Sequence, residues 1–240
     1  MEIMVYASGS KANVYALNDG RSTILIDMGL PISELKKRLG FGLSRVSFAL
    51  LSHCHNDHSR AVAGVMKAGV DVYASHGTIE ALGLSGHRVH AVEAGSQFNA
   101  GNWRVLPFET QHDADQPLGF LVSSMLTGEK LLYATDTYYL RYRFPGPDWI
   151  MIECNYIPDI LDANVDAGLV PRALRDRLIE SHFSLDGVKD WLRANELNRV
   201  QGIWLLHMSE TNCDPVRAKR EIQELTGKPV YIAQEVALCR

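Results

Sequence analysis

Residues 51–60 read LSHCHNDHSR, which places three of the chain's nine histidines and one aspartate within six positions. The four side chains are His53, His55, Asp57 and His58. Imidazole nitrogens and carboxylate oxygens are the usual protein ligands of zinc and similar divalent ions. Four such groups are too many for one ion that also keeps a position for substrate. We therefore interpret the stretch as part of a site for two neighbouring ions rather than as a solvated loop.

The segment that leads into this stretch is apolar. FALLSH, residues 48–53, has the composition of a strand buried on both faces. In an extended segment, positions i and i+2 project to the same side, so His53 and His55 are expected to point the same way. Asp57 and His58 follow where a loop at the strand end can turn and offer a second set of donors.

Two ions need further ligands, and three later segments supply candidates. Each is an apolar strand-like run that ends in a ligand type: His112 in ETQHDADQPLGF, Asp136 in LLYATDTYYL and His207 in GIWLLHMS. Strand ends converge at one rim of a sheet, so we expect these side chains to meet the first motif. Each alone could be an ordinary hydrogen-bonded residue at the rim, but together with the first motif they favour a metal site.

Length and composition set the frame for these motifs. The 240 residues, 46% hydrophobic and 22% charged, suit a globular α/β (α+β) protein. No linker, repeat or low-complexity segment divides the chain, which predicts a single domain over residues 1–240. The net charge of −4 argues against a protein that coats DNA through a global positive field. It does not exclude an enzyme whose metal ions and local arginines meet phosphates.

The chain shows no signal peptide and no apolar run of the roughly 20 residues that a membrane span requires. Its four cysteines, Cys54, Cys154, Cys213 and Cys239, are scattered without a CxxC pair. This pattern predicts reduced thiols and a cytoplasmic protein that does not engage a membrane. Cys54 is expected to face away from its histidine neighbours and not to bind metal.

Strand-like runs fill the first two thirds of the chain, and helical patterns are interspersed. Helices are predicted in ISELKKRL after Pro31, in SRAVAGVMKAG with Ser59 as the N-cap, and in HGTIEALG. The last third adds PRALRDRLIESH, SLDGVKDWLRANE with Ser184 as a cap, and DPVRAKREIQELTG. We expect two sheets with helices outside them.

The string from His53 to His58 resembles the HxHxDH signature of the metallo-β-lactamase superfamily, and His112, Asp136 and His207 are similar to its later ligand positions in the same order. The resemblance spans residues 5–208. It implies a four-layer αββα sandwich, with two mixed sheets, helices on the outer faces and the metal site at one edge. It also implies two ligand sets bridged by Asp136: His53, His55 and His112 on one ion, and Asp57, His58 and His207 on the other.

Three shorter strings, ASGSKAN, QHDADQPLGF and ATDTYYL, resemble the WalJ/YycJ-type branch of that superfamily, small proteins similar to DNA exonucleases. The resemblance implies a phosphodiesterase that acts on nucleic acid, a DNA exonuclease, through a hydroxide activated by two divalent ions. Zinc is the first choice, and manganese or iron is compatible with the same ligands. Family members often carry glycine where this chain has Ala12.

Two residues are assigned catalytic roles by this resemblance. Asp57 is expected both to bind metal and to orient the nucleophile. His182 in ESHFSLDGV resembles the histidine-serine string of the tRNA-processing and nucleolytic branches, where the histidine serves the scissile phosphate or the leaving group. The alternative for His182 is a place in the turn that caps the next helix at Ser184.

Candidate substrate contacts are Ser10 and Lys11 in the first branch-like string, and Arg141 and Arg143 in YYLRYRFPG. The two arginines alternate with tyrosines, a pattern that can hold a nucleic-acid backbone and stack a base. A solvated edge with ordinary packing aromatics explains the same pattern equally well.

Other functions remain in competition. A hydrolase of a small substrate, such as a cyclic nucleotide or a thioester, would use the same ions. Oxygen or nitric oxide reduction is disfavoured, because that chemistry normally uses a carboxylate-richer site and a flavin-binding domain, for which the chain has no room. No flavin is therefore expected. A metal-free binding module is disfavoured because every ligand position is present, and a homodimer stays open.

Overall fold

The structure, a computed structural model, describes residues 1–234. Cys239, predicted to be a reduced thiol, lies outside the described residues, and the predicted single domain over residues 1–240 extends beyond them. Both statements stay predictions. Two sheets dominate the described part. The first sheet contains six strands in chain order, β1 Glu2–Ala7, β2 Val14–Asn18, β3 Thr23–Ile26, β4 Val46–Leu50, β5 Asp71–Ala74 and β6 Val89–Ala91.

The second sheet contains seven strands, ordered from β13 at one edge to β7 at the other. They are β7 Phe98–Ala100, β8 Trp103–Glu109, β9 Leu118–Ser124, β10 Lys130–Ala134, β11 Trp149–Glu153, β12 Gly202–Leu206 and β13 Val230–Ile232. Each sheet begins with antiparallel neighbours and ends with parallel ones: β3 to β6 are parallel in the first, and β10 to β13 in the second. Both sheets are therefore mixed.

Eight α-helices connect these strands within residues 1–234: α1 Ile32–Arg38, α2 Asn56–Ser59, α3 Val62–Lys67, α4 His76–Ala81, α5 Pro158–Asp166, α6 Arg172–Ser181, α7 Leu185–Arg193 and α8 Pro215–Thr226. A 3-10 turn covers Leu43–Arg45. Ser184 caps α7 as predicted, because its hydroxyl accepts a hydrogen bond from the Gly187 N–H. No helix of the described chain is both long and apolar enough to cross a membrane.

Alternating side chains of the strands bury three separate apolar layers. Ile26 of β3 and Phe120 of β9 belong to the cluster between the two sheets. Leu25, one position earlier on β3, belongs to the cluster that the first sheet forms with α1 and α3. Ile150 of β11 packs on the other side with Val188 of α7. The predicted four-layer αββα arrangement is confirmed.

Two local predictions were wrong or incomplete. Ser59 does not cap a helix: residues 56–59 form the separate turn α2, the Ser59 hydroxyl donates to the Cys54 carbonyl (2.9 Å), and α3 begins only at Val62. Helix α5 was not predicted, because Leu161 is its one fully buried residue and so the apolar period is weak. The remaining predicted helices are present.

Truncating Phe120 should test the layer between the sheets. Its ring is fully buried, so Phe120→Ala should lower the free energy of unfolding by about 3–5 kcal/mol through lost burial and a residual cavity. Phe41→Ala is the matched control, because that ring is 77% exposed, and its effect should stay within about 0.5 kcal/mol. Equal midpoints for the two variants in urea denaturation would contradict the layer assignment.

Candidate metal centre

The carboxyl ends of strands from both sheets meet at one edge of the sandwich. Strands β3 and β4 of the first sheet run parallel, and so do β10, β11 and β12 of the second. A polar side chain follows each of four strands within three residues: Asp27 after β3, His53 after β4, Asp136 after β10 and His207 after β12. The structure therefore brings together side chains that are separated by up to 180 residues.

All seven sequence-predicted ligands lie in two adjoining clusters. One cluster contains His53, His55, His112 and Asp136, and the other contains Asp57, His58, Asp136 and His207. Within each cluster, one ligand atom per residue lies within 4.8 Å of the others. Asp136 belongs to both clusters, and Cys54 belongs to neither.

The distances show that the imidazole nitrogens surround the Asp136 carboxylate. Its Oδ2 lies 3.5 Å from His53 Nε2, 3.3 Å from His58 Nε2 and 3.5 Å from His112 Nε2. Its Oδ1 lies 3.6 Å from His207 Nδ1. Nitrogen atoms of four histidines therefore lie within 3.6 Å of one shared carboxylate.

His53 provides a direct test of whether these residues fit a metal ion. Its Nε2 is buried and has no hydrogen-bond partner within the described chain. Burial, reinforced by the neighbouring His58, holds the pKa of His53 well below its usual value, so the ring is neutral. A buried, neutral nitrogen with a free lone pair is costly unless it binds something, and a divalent cation is the partner that suits it.

Neighbouring groups fix which nitrogen of two other histidines faces the clusters. His58 Nδ1 lies 2.7 Å from Asp27 Oδ2, and His112 Nδ1 lies 2.9 Å from the Ser181 carbonyl oxygen. Both rings therefore donate through Nδ1 and present Nε2 to the centre. Hydrogen bonds of this kind are the usual support of metal-binding imidazoles.

The negative charge of the carboxylates favours positively charged groups at the centre. Burial opposes the charged form of His207, but Asp136, Asp57 and Glu153 outweigh it and raise its pKa to about 10. Burial likewise opposes the charged form of His58, and Asp136 with Asp27 raises its pKa well above the usual value. Metal ions bind histidine nitrogens in place of protons, so bound ions would neutralise the same carboxylates.

Three residues at this edge adopt left-handed backbone conformations, which side chains other than glycine seldom do. The φ angles are 59° at Asp27, 45° at Asp136 and 49° at His207. Each costs about 1–3 kcal/mol, and such conformations concentrate at functional sites. Each of the three residues lies within two positions of the end of its strand.

His182 also lies at the centre, as predicted. Its ring stacks on His207, with 5.4 Å between centroids and 10° between planes, and meets the edge of His112 at 5.3 Å. Its Nδ1 lies 2.6 Å from Glu153 Oε1. Because a carboxylate anchors the ring, His182 is more than part of the turn that caps α7.

Sequence reasoning missed three residues that support the centre: Asp27, Glu153 and Asn13. Asp27 accepts hydrogen bonds from the Ser52 N–H (2.8 Å) and hydroxyl (2.9 Å) in addition to His58. Asn13 donates to Asp57 Oδ2 at 3.3 Å. The signal for Asp27 and Glu153 was available, since each ends an apolar run, STILID and WIMIE, just as Asp136 ends LLYATD.

The four predicted substrate contacts lie outside both clusters. Ser10 and Lys11 are exposed and line a cavity of about 450 Å³, and Lys11 forms an ion pair with Glu210 at 2.8 Å. Arg141 and Arg143 line another cavity of about 400 Å³. Ala12 is buried and its φ is not in the left-handed region, so the turn does not require glycine at that position.

The fold and the site agree with the comparison against known families. Residues 8–140 match the sequence model of the metallo-beta-lactamase superfamily, which is more than half of the chain. The chain belongs to this superfamily of hydrolases. Its two clusters of histidine and aspartate can hold metal ions, and so can a third, overlapping group that contains Asp136, Glu153, His182 and His207.

Among individual proteins, the chain is similar to the exodeoxyribonuclease WalJ of Streptococcus pneumoniae, with 29% identity over 227 residues that cover 87% of this chain and 81% of WalJ. Its fold is similar to that of YhfI from Bacillus subtilis (TM-score 0.75, 16% identity, 97% and 95% of the chains covered). The short form of human tRNase Z is also similar in fold (TM-score 0.63, 14% identity, 98% and 96% covered).

Replacing the shared aspartate should separate metal binding from folding. In the wild type, zinc at about 1,000 times its dissociation constant should add about 4 kcal/mol of stability, because it binds only the folded chain. Asp136→Asn should lose most of this gain and at least one equivalent of bound metal, measured by thermal denaturation and elemental analysis.

The matched control is Asp166→Asn, because Asp166 is an exposed residue of α5 with no ion pair among residues 1–234. It should bind zinc like the wild type. Equal zinc content in all three proteins would show that Asp136 holds no ion.

Proposed function

We propose that the chain is a dinuclear-metal-dependent phosphodiesterase that acts on nucleic acid, and specifically a DNA exonuclease. The observation that carries this proposal is the pair of adjoining ligand clusters around Asp136 with His182 anchored beside them. The similarity to the exodeoxyribonuclease WalJ, which extends over most of both chains, supports DNA as the substrate. The cytoplasmic location and the homodimer stay predictions.

Each cluster would hold one ion. One would be bound by His53, His55 and His112, the other by Asp57, His58 and His207, with Asp136 shared. Zinc is the proposed metal because imidazole-rich sites suit it, and manganese or iron would bind the same donors. When bound, two such ions supply the positive charge that acidifies an attacking water and neutralises the phosphoryl group.

We propose that Asp57 orients the nucleophile. Its Oδ2 lies 3.2 Å from His207 Nε2 and 3.3 Å from His58 Nε2, and Asn13 donates to the same oxygen. The carboxylate is thereby fixed in position, while 23% of the side chain stays exposed. An immobilised carboxylate at an accessible edge can accept a hydrogen bond from the attacking water and direct its lone pair at phosphorus.

We propose that His182 acts on the leaving group. Because Glu153 binds Nδ1, the Nε2 atom is the nitrogen available to a substrate, and the side chain is 16% exposed. Glu153 is itself held by the Thr137 and Phe183 backbone N–H groups, at 3.0 and 3.2 Å. Glu153 thus sets the orientation from which His182 donates a proton to the leaving oxygen.

His182→Ala should lower kcat on DNA by about 10²–10⁴-fold, the usual contribution of a general acid. Both ions should be retained, because the proposed ligands do not include His182. Loss of an ion would instead make His182 a ligand, within the third group of Asp136, Glu153, His182 and His207. His87→Ala is the control: His87 is exposed, just before β6 and away from the carboxyl edge, and its loss should leave kcat unchanged. A wild-type kcat in the His182→Ala variant would show that His182 is not the general acid.

The function as a whole is tested by incubating the zinc- or manganese-loaded protein with end-labelled single- and double-stranded DNA. Nucleotides should be released, a chelator should stop the release, and a covalently closed circle should stay intact because an exonuclease requires an end. A folded, metal-loaded protein that releases no nucleotides would contradict the proposal. Turnover of a cyclic nucleotide or a thioester with inert DNA would establish the small-substrate alternative.

A further inference from the structure

Residues 138–143, YYLRYR, form an irregular segment that we call the tyrosine loop. It begins two residues after Asp136 and is anchored there through Thr137, a fully buried residue. The Thr137 N–H donates to Glu153 Oε2 (3.0 Å), and its hydroxyl donates to the Tyr139 carbonyl (2.8 Å). The loop is therefore tied to the same carboxylate that orients His182.

The far end of the loop is also fixed. Leu140 is buried, and the Trp191 indole N–H of α7 donates to the Tyr142 carbonyl at 3.0 Å. The Tyr142 hydroxyl donates to Glu109 at 3.4 Å. With both ends attached, the loop presents its remaining side chains from a preorganised backbone.

Those remaining side chains are exposed, and three of them, Tyr138, Tyr139 and Arg143, make no side-chain hydrogen bond or ion pair within residues 1–234. Tyr138 is 46% and Tyr139 57% exposed, and within residues 1–234 neither hydroxyl makes a hydrogen bond. Arg143 is exposed and has no ion pair in the same described range. Arg141 lies over the Tyr142 ring at 5.8 Å and near Glu109 at 3.5 Å, which holds its guanidinium at the rim. Two exposed aromatic rings and two cations are thus displayed side by side.

The charges of the two cavities next to the loop are opposite. The cavity of about 400 Å³ lined by the tyrosine loop contains Arg141 and Arg143 against Asp190. The cavity of about 560 Å³ next to α6 contains three acidic residues against one basic residue: Asp113, Asp176, Glu180 and Arg177. A polyanion is therefore attracted toward the loop and repelled from the α6 side.

Tyr138 connects the loop to the metal centre. It lines both cavities, and the α6 cavity also includes His112. Its N–H donates to the Gln111 carbonyl at 3.2 Å, next to His112 in the chain. Tyr138 therefore brings one end of the loop next to the proposed ligand His112.

We propose that the tyrosine loop is the path of a single-stranded polynucleotide that leads away from the metal centre. Tyr138 and Tyr139 stack on unpaired bases, and Arg141 and Arg143 bind phosphates of the same strand. Stacking of this kind tolerates any base but requires that the base be unpaired, so the loop selects single strands and frayed ends over intact duplex. The inference rests on the proposed nuclease function and specifies its substrate.

The test measures binding of the zinc-loaded protein to a fluorescent, phosphorothioate-linked oligothymidylate, which resists hydrolysis. Tyr138→Ala and Tyr139→Ala should each weaken binding by about fivefold or more, and both together should remove the preference for single strands over a duplex of equal length. Tyr138→Phe and Tyr139→Phe should retain the affinity, because the ring and not the hydroxyl makes the contact. Phe41→Ala, which removes an exposed ring elsewhere, should bind like the wild type.

The arginines are tested by salt dependence. Each phosphate contact on a single strand contributes about 0.7 to the slope of log affinity against log salt, so the Arg141→Gln/Arg143→Gln variant should have a slope smaller by about 1.4. Glutamine removes the charge but keeps a polar side chain with the same first three carbons, and both positions are exposed, so the fold of the loop should be retained. An unchanged slope would mean that the arginines do not contact phosphates.

The outcomes for the loop and for the nuclease function are distinguishable. If the wild type degrades DNA while the two alanine variants bind single strands as tightly as it does, the path is wrong and the nuclease proposal stands. A wild type that binds no single strand also overturns the path. If the protein binds single strands through the loop but releases no nucleotides with any metal, the nuclease proposal is wrong and the surface is a binding site for single strands.

Discussion

The buried carboxylate of Asp27 joins the two sheets at the edge where all the chemistry lies. It accepts hydrogen bonds from Ser52 and His58, which follow β4 of the first sheet, and from the Tyr133 hydroxyl (2.6 Å) on β10 of the second. A fully buried carboxylate without such partners would be strongly destabilising. The relative position of the sheets at this edge, and with it the spacing of ligands from both, therefore depends on these hydrogen bonds.

Glu153, the last residue of β11, organises the second sheet's part of the centre. It fixes His182, contacts His207 at 3.3 Å, and holds the backbone at Thr137 from which the tyrosine loop departs. One carboxylate thus contacts the proposed proton donor His182, the proposed ligand His207 and the backbone where the tyrosine loop begins. The arrangement explains why a charged residue occupies the end of the otherwise apolar strand β11.

Much of the site could be predicted because its ligands share one rule: a metal-binding residue type ends an apolar strand. That rule found His112, Asp136 and His207, and the resemblance to a known signature ordered them. It could also have found Asp27, but a lone aspartate after a strand is equally typical of a turn. The break between α2 and α3 was not predictable. It depends on backbone contacts of residues 57, 58 and 61 with residues 13, 28 and 29, which are distant in the sequence.

The ligand set is divided between the halves of the sandwich: residues 53–58 belong to the first sheet's side, while residues 112, 136 and 207 belong to the second's. Ions bound there would cross-link the two sheets at this edge, in addition to the apolar packing between them and the hydrogen bonds of Asp27. Loss of metal would then do more than stop catalysis. It would weaken the contact between the sheets and make local opening of this edge easier. Metal supply in the cell would then also govern how long the folded chain survives proteolysis.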